Sequence, residues 1–269
     1  MQNAALSAAG LTDWHYQRLP LPPELFEETV RSLPALDFAG INVTIPHKAA
    51  ALEVADSASE AAAAIGAVNT LSFTGDGIAG ENTDAPGFLA ALPEAPAGKS
   101  VVVLGAGGSA RAVVWALREA GAAEIRIWNR TADRAAAMAS EFGVMQIAHP
   151  QAADILVNCT SVGLPGKTVK DLPLAAELLD RCSLVADLVY RSGGTPLLVE
   201  AERRGCAVVD GLEILVRQGA ISFTAWTGLE APLSVMRQAV RQDRPDGIDS
   251  ADPNVQRPSS PPDGADRAP

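Results

Sequence analysis

The sequence predicts an α/β protein in two domains, one of them a doubly wound parallel sheet, and three observations carry that expectation. An apolar run, Val101 to Leu104, enters Gly105-Ala106-Gly107-Gly108-Ser109-Ala110-Arg111 and then a long Ala-rich helical pattern, which reads as strand, tight glycine turn and helix. Further apolar runs alternate with helical patterns in the order of a parallel sheet. At 269 residues the chain exceeds one average domain and suits two.

The glycine turn comes first because its physics is specific. Glycines let the backbone approach a pyrophosphate, and the free N–H groups at the helix start favour negative charge there. About twenty residues on, Ile125 to Trp128 reads as a second strand ending in Asn129-Arg130-Thr131, with Arg134 one helical turn later. An acid at that strand end would bond the ribose hydroxyls of NAD. Here an amide, a hydroxyl and two guanidinium groups stand instead, and a guanidinium pairs with a 2′-phosphate through a planar fork. NADP is the expected cofactor.

After this turn, Asp154 to Asn158, Leu184 to Leu188 and Ala207 to Val209 read as buried strands, with a helical stretch near Leu174 to Asp180. The nucleotide domain is expected over 84–210. Ahead of it, Gly40 to Ile45 reads as a strand leading into Pro46-His47-Lys48. A helix follows from about Ala49 to Ala64, then a hairpin of Val68 to Phe73 and Gly77 to Ala79 around Thr74-Gly75-Asp76. This first, smaller α/β domain spans 1–83. From Gln242 the composition turns to Asp, Pro, Ser and Gly, so 242–269 is expected as a disordered tail.

Composition narrows the function. A net charge of −11 argues against nucleic acid, which is bound mainly through accumulated Lys and Arg. No apolar stretch is long enough to span a bilayer, and the N-terminus lacks a signal-peptide pattern, so a cytoplasmic protein without membrane partners is expected. Cys159, Cys182 and Cys206 are too far apart for a zinc set and odd in number, which points to free thiols. No metal is expected.

The first domain carries an unusual density of polar residues at strand ends and turns: Asn42, Thr44, Lys48, Asn69, Thr70, Asn82, Thr83 and Asp84. A pocket for a small polyhydroxylated molecule needs such fixed donors and acceptors. Taken singly, each also suits a turn or cap, and Asp84 in particular suits the cap of a helix beginning near Pro86.

Six motifs in order now carry a family resemblance: Asn42-Val43-Thr44-Ile45-Pro46-His47-Lys48, Gly66-Ala67-Val68-Asn69-Thr70, Asn82-Thr83-Asp84, the Gly105 to Arg111 turn, Asn129-Arg130-Thr131 and Gln218-Gly219-Ala220. Together they resemble the motifs of the shikimate dehydrogenases, from Met1 to about Val240. The resemblance implies a substrate domain joined to a Rossmann-like NADP-binding domain, with 211–241 returning to the substrate domain. It implies reversible NADP-dependent reduction of 3-dehydroshikimate to shikimate, by a monomer or homodimer, on the route to chorismate and aromatic amino acids.

By matching positions, Lys48 and Asp84 form the catalytic pair, and Thr44, Lys48, Asn69, Asp84, Tyr190 and Gln218 hold the substrate. The cofactor falls to Gly105, Ala106, Gly107, Gly108, Ser109, Asn129, Arg130, Thr131, Arg134, Thr160, Leu188 and Gly211. The family begins with a strand and a serine-rich loop that holds the substrate carboxylate, and Met1-Gln2-Asn3-Ala4-Ala5 stands after that point. Two expectations follow. Either the reading frame starts upstream, or the chain is an N-terminally defective paralogue that binds NADP with little turnover. Quinate or aminoshikimate is the alternative substrate.

Overall fold

The computed structural model describes residues 1–164, 172–191 and 193–242, and two sheets organise them. The first holds β1 (Gly40–Asn42), β2 (Ser57–Ala58), β3 (Thr70–Thr74) and β4 (Gly77–Glu81) in the order β1-β3-β4-β2. The expected hairpin is β3 and β4, paired antiparallel with Thr74 opposite Gly77. Its turn is closed by Thr74, whose hydroxyl donates to the Gly77 carbonyl at 3.1 Å.

The second sheet is parallel throughout. It contains β5 (Ser100–Leu104), β6 (Glu124–Trp128), β7 (Met145–Gln146), β8 (Ile155–Asn158), β9 (Leu184–Asp187) and β10 (Ala207–Val209), ordered β10-β9-β8-β5-β6-β7. Parallel strands are covered by helices on both faces and therefore read as continuous apolar runs. Val101 to Leu104 accordingly lie fully buried. From β5 the chain winds outward through α6 (Gly108–Glu119), β6 and α7 (Ala132–Phe142) to β7, then returns to β8 on the other side of β5. The winding direction reverses between β5 and β8, and a crevice opens at their carboxyl ends.

Several expected elements change form. The single helix from Ala49 to Ala64 is two, α3 (Lys48–Val54) and α4 (Glu60–Ile65), with β2 between them. Pairing with β4 breaks the helix there: the Asp56 N–H donates to the Ile78 carbonyl, and Asp56 Oδ2 accepts the Ile78 N–H, each at 2.8 Å. Ser59 then caps α4 by accepting the Ala62 N–H at 3.2 Å. The strand expected to Ile45 ends at Asn42, and the stretch near Leu174 to Asp180 is a 3₁₀ turn, Ala176–Arg181. Gln242 closes a helix, α10 (Leu233–Gln242), so the tail expected from that residue does not start there; 243–269 lie outside the described residues.

The long α9 (Gly211–Thr227) packs on α5 (Asp84–Ala91) and on β3. The two helices approach so closely that a Cβ on Gly87 would stand 2.7 Å from the Gln218 backbone. On its far side α9 meets α1 (Gln2–Ala8) and α10 around Ala5, Leu6, Phe223 and Met236.

An ion-pair cluster fastens that end. Glu213 accepts Arg217 Nε at 2.8 Å and takes both Arg237 Nε and Nη2, at 2.7 and 2.8 Å. The Arg237 guanidinium, assisted by Arg217 and opposed by partial burial, holds the Glu213 carboxyl down at about 2. A depressed carboxylate contributes stability above its unfolded value and loses it as pH falls toward the folded one. Glu213→Gln should therefore cost about 1–2 kcal/mol at neutral pH. That difference should shrink as pH falls below about 4.5 and vanish only below about 2 when denaturant unfolding of variant and parent is compared across pH.

Among the described residues no helix is long and apolar enough to cross a membrane, and no group of His, Cys, Asp or Glu is arranged to hold a metal ion. Cys206 is buried and the other two thiols are half-buried. Burial pushes the Cys182 thiol up to about 11.

Candidate active site

Lys48 opens α3 where the chain leaves the turn Thr44 to His47, and its ammonium donates to Asp84 Oδ2 at 2.5 Å. Both side chains are largely enclosed, with 15% and 20% of their surfaces exposed. Asp84 does not cap α5 as a turn residue would. Thr83 occupies the cap position and Asn82 Oδ1 accepts the Ala85 N–H at 3.2 Å, which leaves the Asp84 carboxylate to face Lys48. Its second oxygen accepts Asn69 Nδ2 at 2.8 Å. Asn69 is itself fixed, because its Oδ1 accepts the Thr83 N–H at 2.7 Å and the Thr83 hydroxyl at 3.2 Å.

Behind this line lies a buried polar layer that ties α9 to the first sheet. The Thr83 hydroxyl reaches Gln218 Oε1 at 3.3 Å, and the Ser222 hydroxyl meets Thr70 at 2.9 Å and accepts Asn42 Nδ2 at 2.9 Å. Sequence reasoning passed over Ser222. The available signal was spacing, since Gln218 and Ser222 share one face of a helix at i and i+4. The Tyr190 phenol lies within electrostatic range of Asp84, and 54% of the residue is exposed. Lost hydration, then the Asp84 carboxylate, push that hydroxyl up to about 12. Thr44 is exposed and stands outside this bonded cluster.

The crevice at the switch point has a volume of about 580 Å³ and is lined by Gly105, Ala106, Gly107, Asn129, Arg130 and Thr160 among others. Gly105 has φ +113°, and a Cβ there would stand 3.0 Å from the Cys159 carbonyl, so a bare backbone is required between β5 and β8. The turn then delivers the amino end of α6 to the crevice. Asn129 spends its amide on the Thr131 carbonyl at 2.8 Å. Arg130 and Arg134 are exposed and enter none of the ion pairs among the described residues, which leaves their guanidinium groups available to a phosphate.

Arg111, by contrast, is drawn off the turn. It clasps Glu141 through both terminal nitrogens, at 2.6 and 2.5 Å, and donates to the Ile65 carbonyl. Ser109 is half-buried in the first turn of α6. Leu188 packs at the edge of the main core, and Gly211 starts α9 directly against the Val189 carbonyl. The two halves of the site meet at Gly108, where an added Cβ would lie 3.9 Å from Lys48 Cδ. An enclosed ammonium–carboxylate pair thus stands beside the glycine turn.

Comparison with known proteins gives a uniform picture. Residues 1–71 match the shikimate dehydrogenase substrate binding domain, 91–165 the shikimate/quinate 5-dehydrogenase family and 211–241 the shikimate 5′-dehydrogenase C-terminal domain. The chain is 43% identical over 257 residues to the shikimate dehydrogenase (NADP(+)) of Methanothermobacter thermautotrophicus, with 90% of each chain covered. The crystal structure of shikimate 5-dehydrogenase from Thermus thermophilus, in complex with NADP(H) and shikimate, superposes with a TM-score of 0.81 at 42% identity, covering 89% of this chain and 92% of that one. The 5-ketofructose reductase of a Gluconobacter strain superposes at 0.80 with 35% identity, covering 88% and 90%.

Proposed function

Because the chain belongs to the shikimate dehydrogenase family, we infer that it catalyses the reversible NADP-dependent reduction of 3-dehydroshikimate to shikimate. The observation that carries this reading is the Lys48–Asp84 pair beside Gly108, which sets a proton donor next to the cofactor turn. The crevice fits NADP: a bare backbone at Gly105, a helix start and two unpaired guanidinium groups suit a pyrophosphate and a 2′-phosphate. Gly105 to Ser109 take the pyrophosphate, Asn129, Arg130, Thr131 and Arg134 the 2′-phosphate end, and Thr160, Leu188 and Gly211 the nicotinamide end.

Bound NADPH supplies the hydride. As the substrate carbonyl oxygen gains negative charge, the Lys48 ammonium stabilises it and gives up a proton from Nζ. Asp84 keeps the ammonium aimed, and Asn69, itself held by Thr83, holds Asp84 so that no reorientation is needed during the step. Thr44, Asn69, Asp84 and Gln218 supply ring-hydroxyl contacts, and Tyr190 contacts the substrate. On this reading 1–83 and 211–241 form the substrate domain and 84–210 the cofactor domain, the chain acts in the cytoplasm, and it works as a monomer or homodimer.

The test is oxidation of NADPH by the purified chain with 3-dehydroshikimate, set against 3-dehydroquinate, an aminated dehydroshikimate and 5-ketofructose. Turnover with 3-dehydroshikimate above the others is the expected result. NADPH binding without turnover of any of these ketones would overturn the reading in favour of a cofactor-binding protein.

A further inference from the structure

The mechanism above leaves one buried carboxylate without a task. Asp187 ends β9 with none of its surface exposed, opposite Asn158 at the end of β8. Three donors converge on it. Asn158 Nδ2 and the Val189 N–H reach Oδ1, at 2.9 and 3.0 Å, and the Thr195 hydroxyl reaches Oδ2 at 2.6 Å. Asn158 in turn accepts both the N–H and the hydroxyl of Thr160, at 3.0 and 2.7 Å, and donates to the Val162 carbonyl at 3.1 Å. A second tie runs from Arg191 Nη1 to the Gly163 carbonyl at 3.2 Å.

These bonds join two segments with different duties. The turn after β8 contributes Thr160 and Val162 to the wall of the cofactor crevice. The segment after β9 carries Tyr190, within electrostatic range of Asp84, and rests on the start of α9 through Gly211. We propose that Asp187 is a positioning residue: through Asn158, Val189 and Thr195 it locks the crevice wall in register with the segment that presents Tyr190 to the catalytic pair. The proposal rests on the NADP and Lys48–Asp84 reading given above.

A carboxylate is suited to this junction for a countable reason. Ionised, it offers two acceptor oxygens and no donor, whereas an amide offers one oxygen and turns an N–H₂ toward a group that already donates. Burial raises the cost of the charged form and holds the carboxyl above its ordinary value, and the three bonds offset part of that cost. Asp187→Asn therefore keeps the shape and spoils the pattern. Thr195→Val removes a single donor to Asp187, together with the cap Thr195 gives the next helix by accepting the Leu198 N–H at 3.3 Å, and is the milder variant at the carboxylate.

The experiment measures kcat, KM and dissociation constants for NADPH and for adenosine 2′,5′-bisphosphate, which spans only the adenine end, in the parent, D187N and T195V. Expected is a fall in kcat of about tenfold for D187N and about threefold for T195V, since small misplacements of reacting groups are costly. Adenosine 2′,5′-bisphosphate should bind within about twofold of the parent in both. A kcat within about twofold of the parent in both variants overturns the proposal. So does a loss of bisphosphate binding in step with kcat, which would mark Asp187 as a residue that merely keeps the domain folded. Failure of the underlying reading would show in the parent protein itself, as absence of NADPH turnover.

Discussion

Lys48→Ala is expected to lower kcat by about 10²- to 10⁴-fold while leaving NADPH affinity within about twofold. The ammonium is bonded to Asp84 and lies beside the glycine turn, so its removal takes away both the charge that stabilises the developing oxyanion and the proton that quenches it. It also leaves the Asp84 carboxylate with only Asn69 as a side-chain partner. Steady-state kinetics with 3-dehydroshikimate, together with a fluorescence titration of NADPH, separates the two quantities. A variant with normal kcat and a raised KM would demote Lys48 to a binding residue.

Arg130→Ala is expected to reduce the preference for NADPH over NADH by roughly ten- to hundredfold, the equivalent of a charge-assisted bond of about 1.5–3 kcal/mol. Arg130 lines the crevice at the end of β6, and no carboxylate competes for it among the described ion pairs. Because the side chain is exposed, the contact is screened by salt, and the discrimination should narrow as ionic strength rises even in the parent. Dissociation constants for both cofactors at two salt concentrations check this. An unchanged NADPH to NADH ratio in the variant would move the 2′-phosphate site elsewhere, with Arg134 the next residue to replace.

The nucleotide half of the fold was legible in the sequence because its strands are buried on both faces and therefore apolar without interruption. Val101 to Leu104, Ile125 to Trp128 and Ile155 to Asn158 are strands within a residue of where that pattern places them. The first sheet was harder to read. Its β2 is two residues of exposed Ser and Ala, held by backbone bonds that leave no periodicity, so Ala49 to Ala64 read as one helix. The glycine turn and the Asn42 to Lys48 and Asn82 to Asp84 motifs gave the candidate site. The partners of those residues were invisible: that Arg111 turns to Glu141, that Thr83 steers Asn69, and that Ser222 lies under Thr70 depend on contacts between segments far apart in the chain.

The close passage of α5 and α9 at Gly87 fixes how Gln218 stands against Thr83. Asp84 begins one helix and Gln218 sits on the other, and the gap between them is as narrow as two backbones allow. A methyl group at position 87 would act as a spacer, lifting Gln218 from Thr83. Position 87 is thus closed to any side chain, one helical turn from the carboxylate that faces Lys48, and alanine there would have to push the two helices apart.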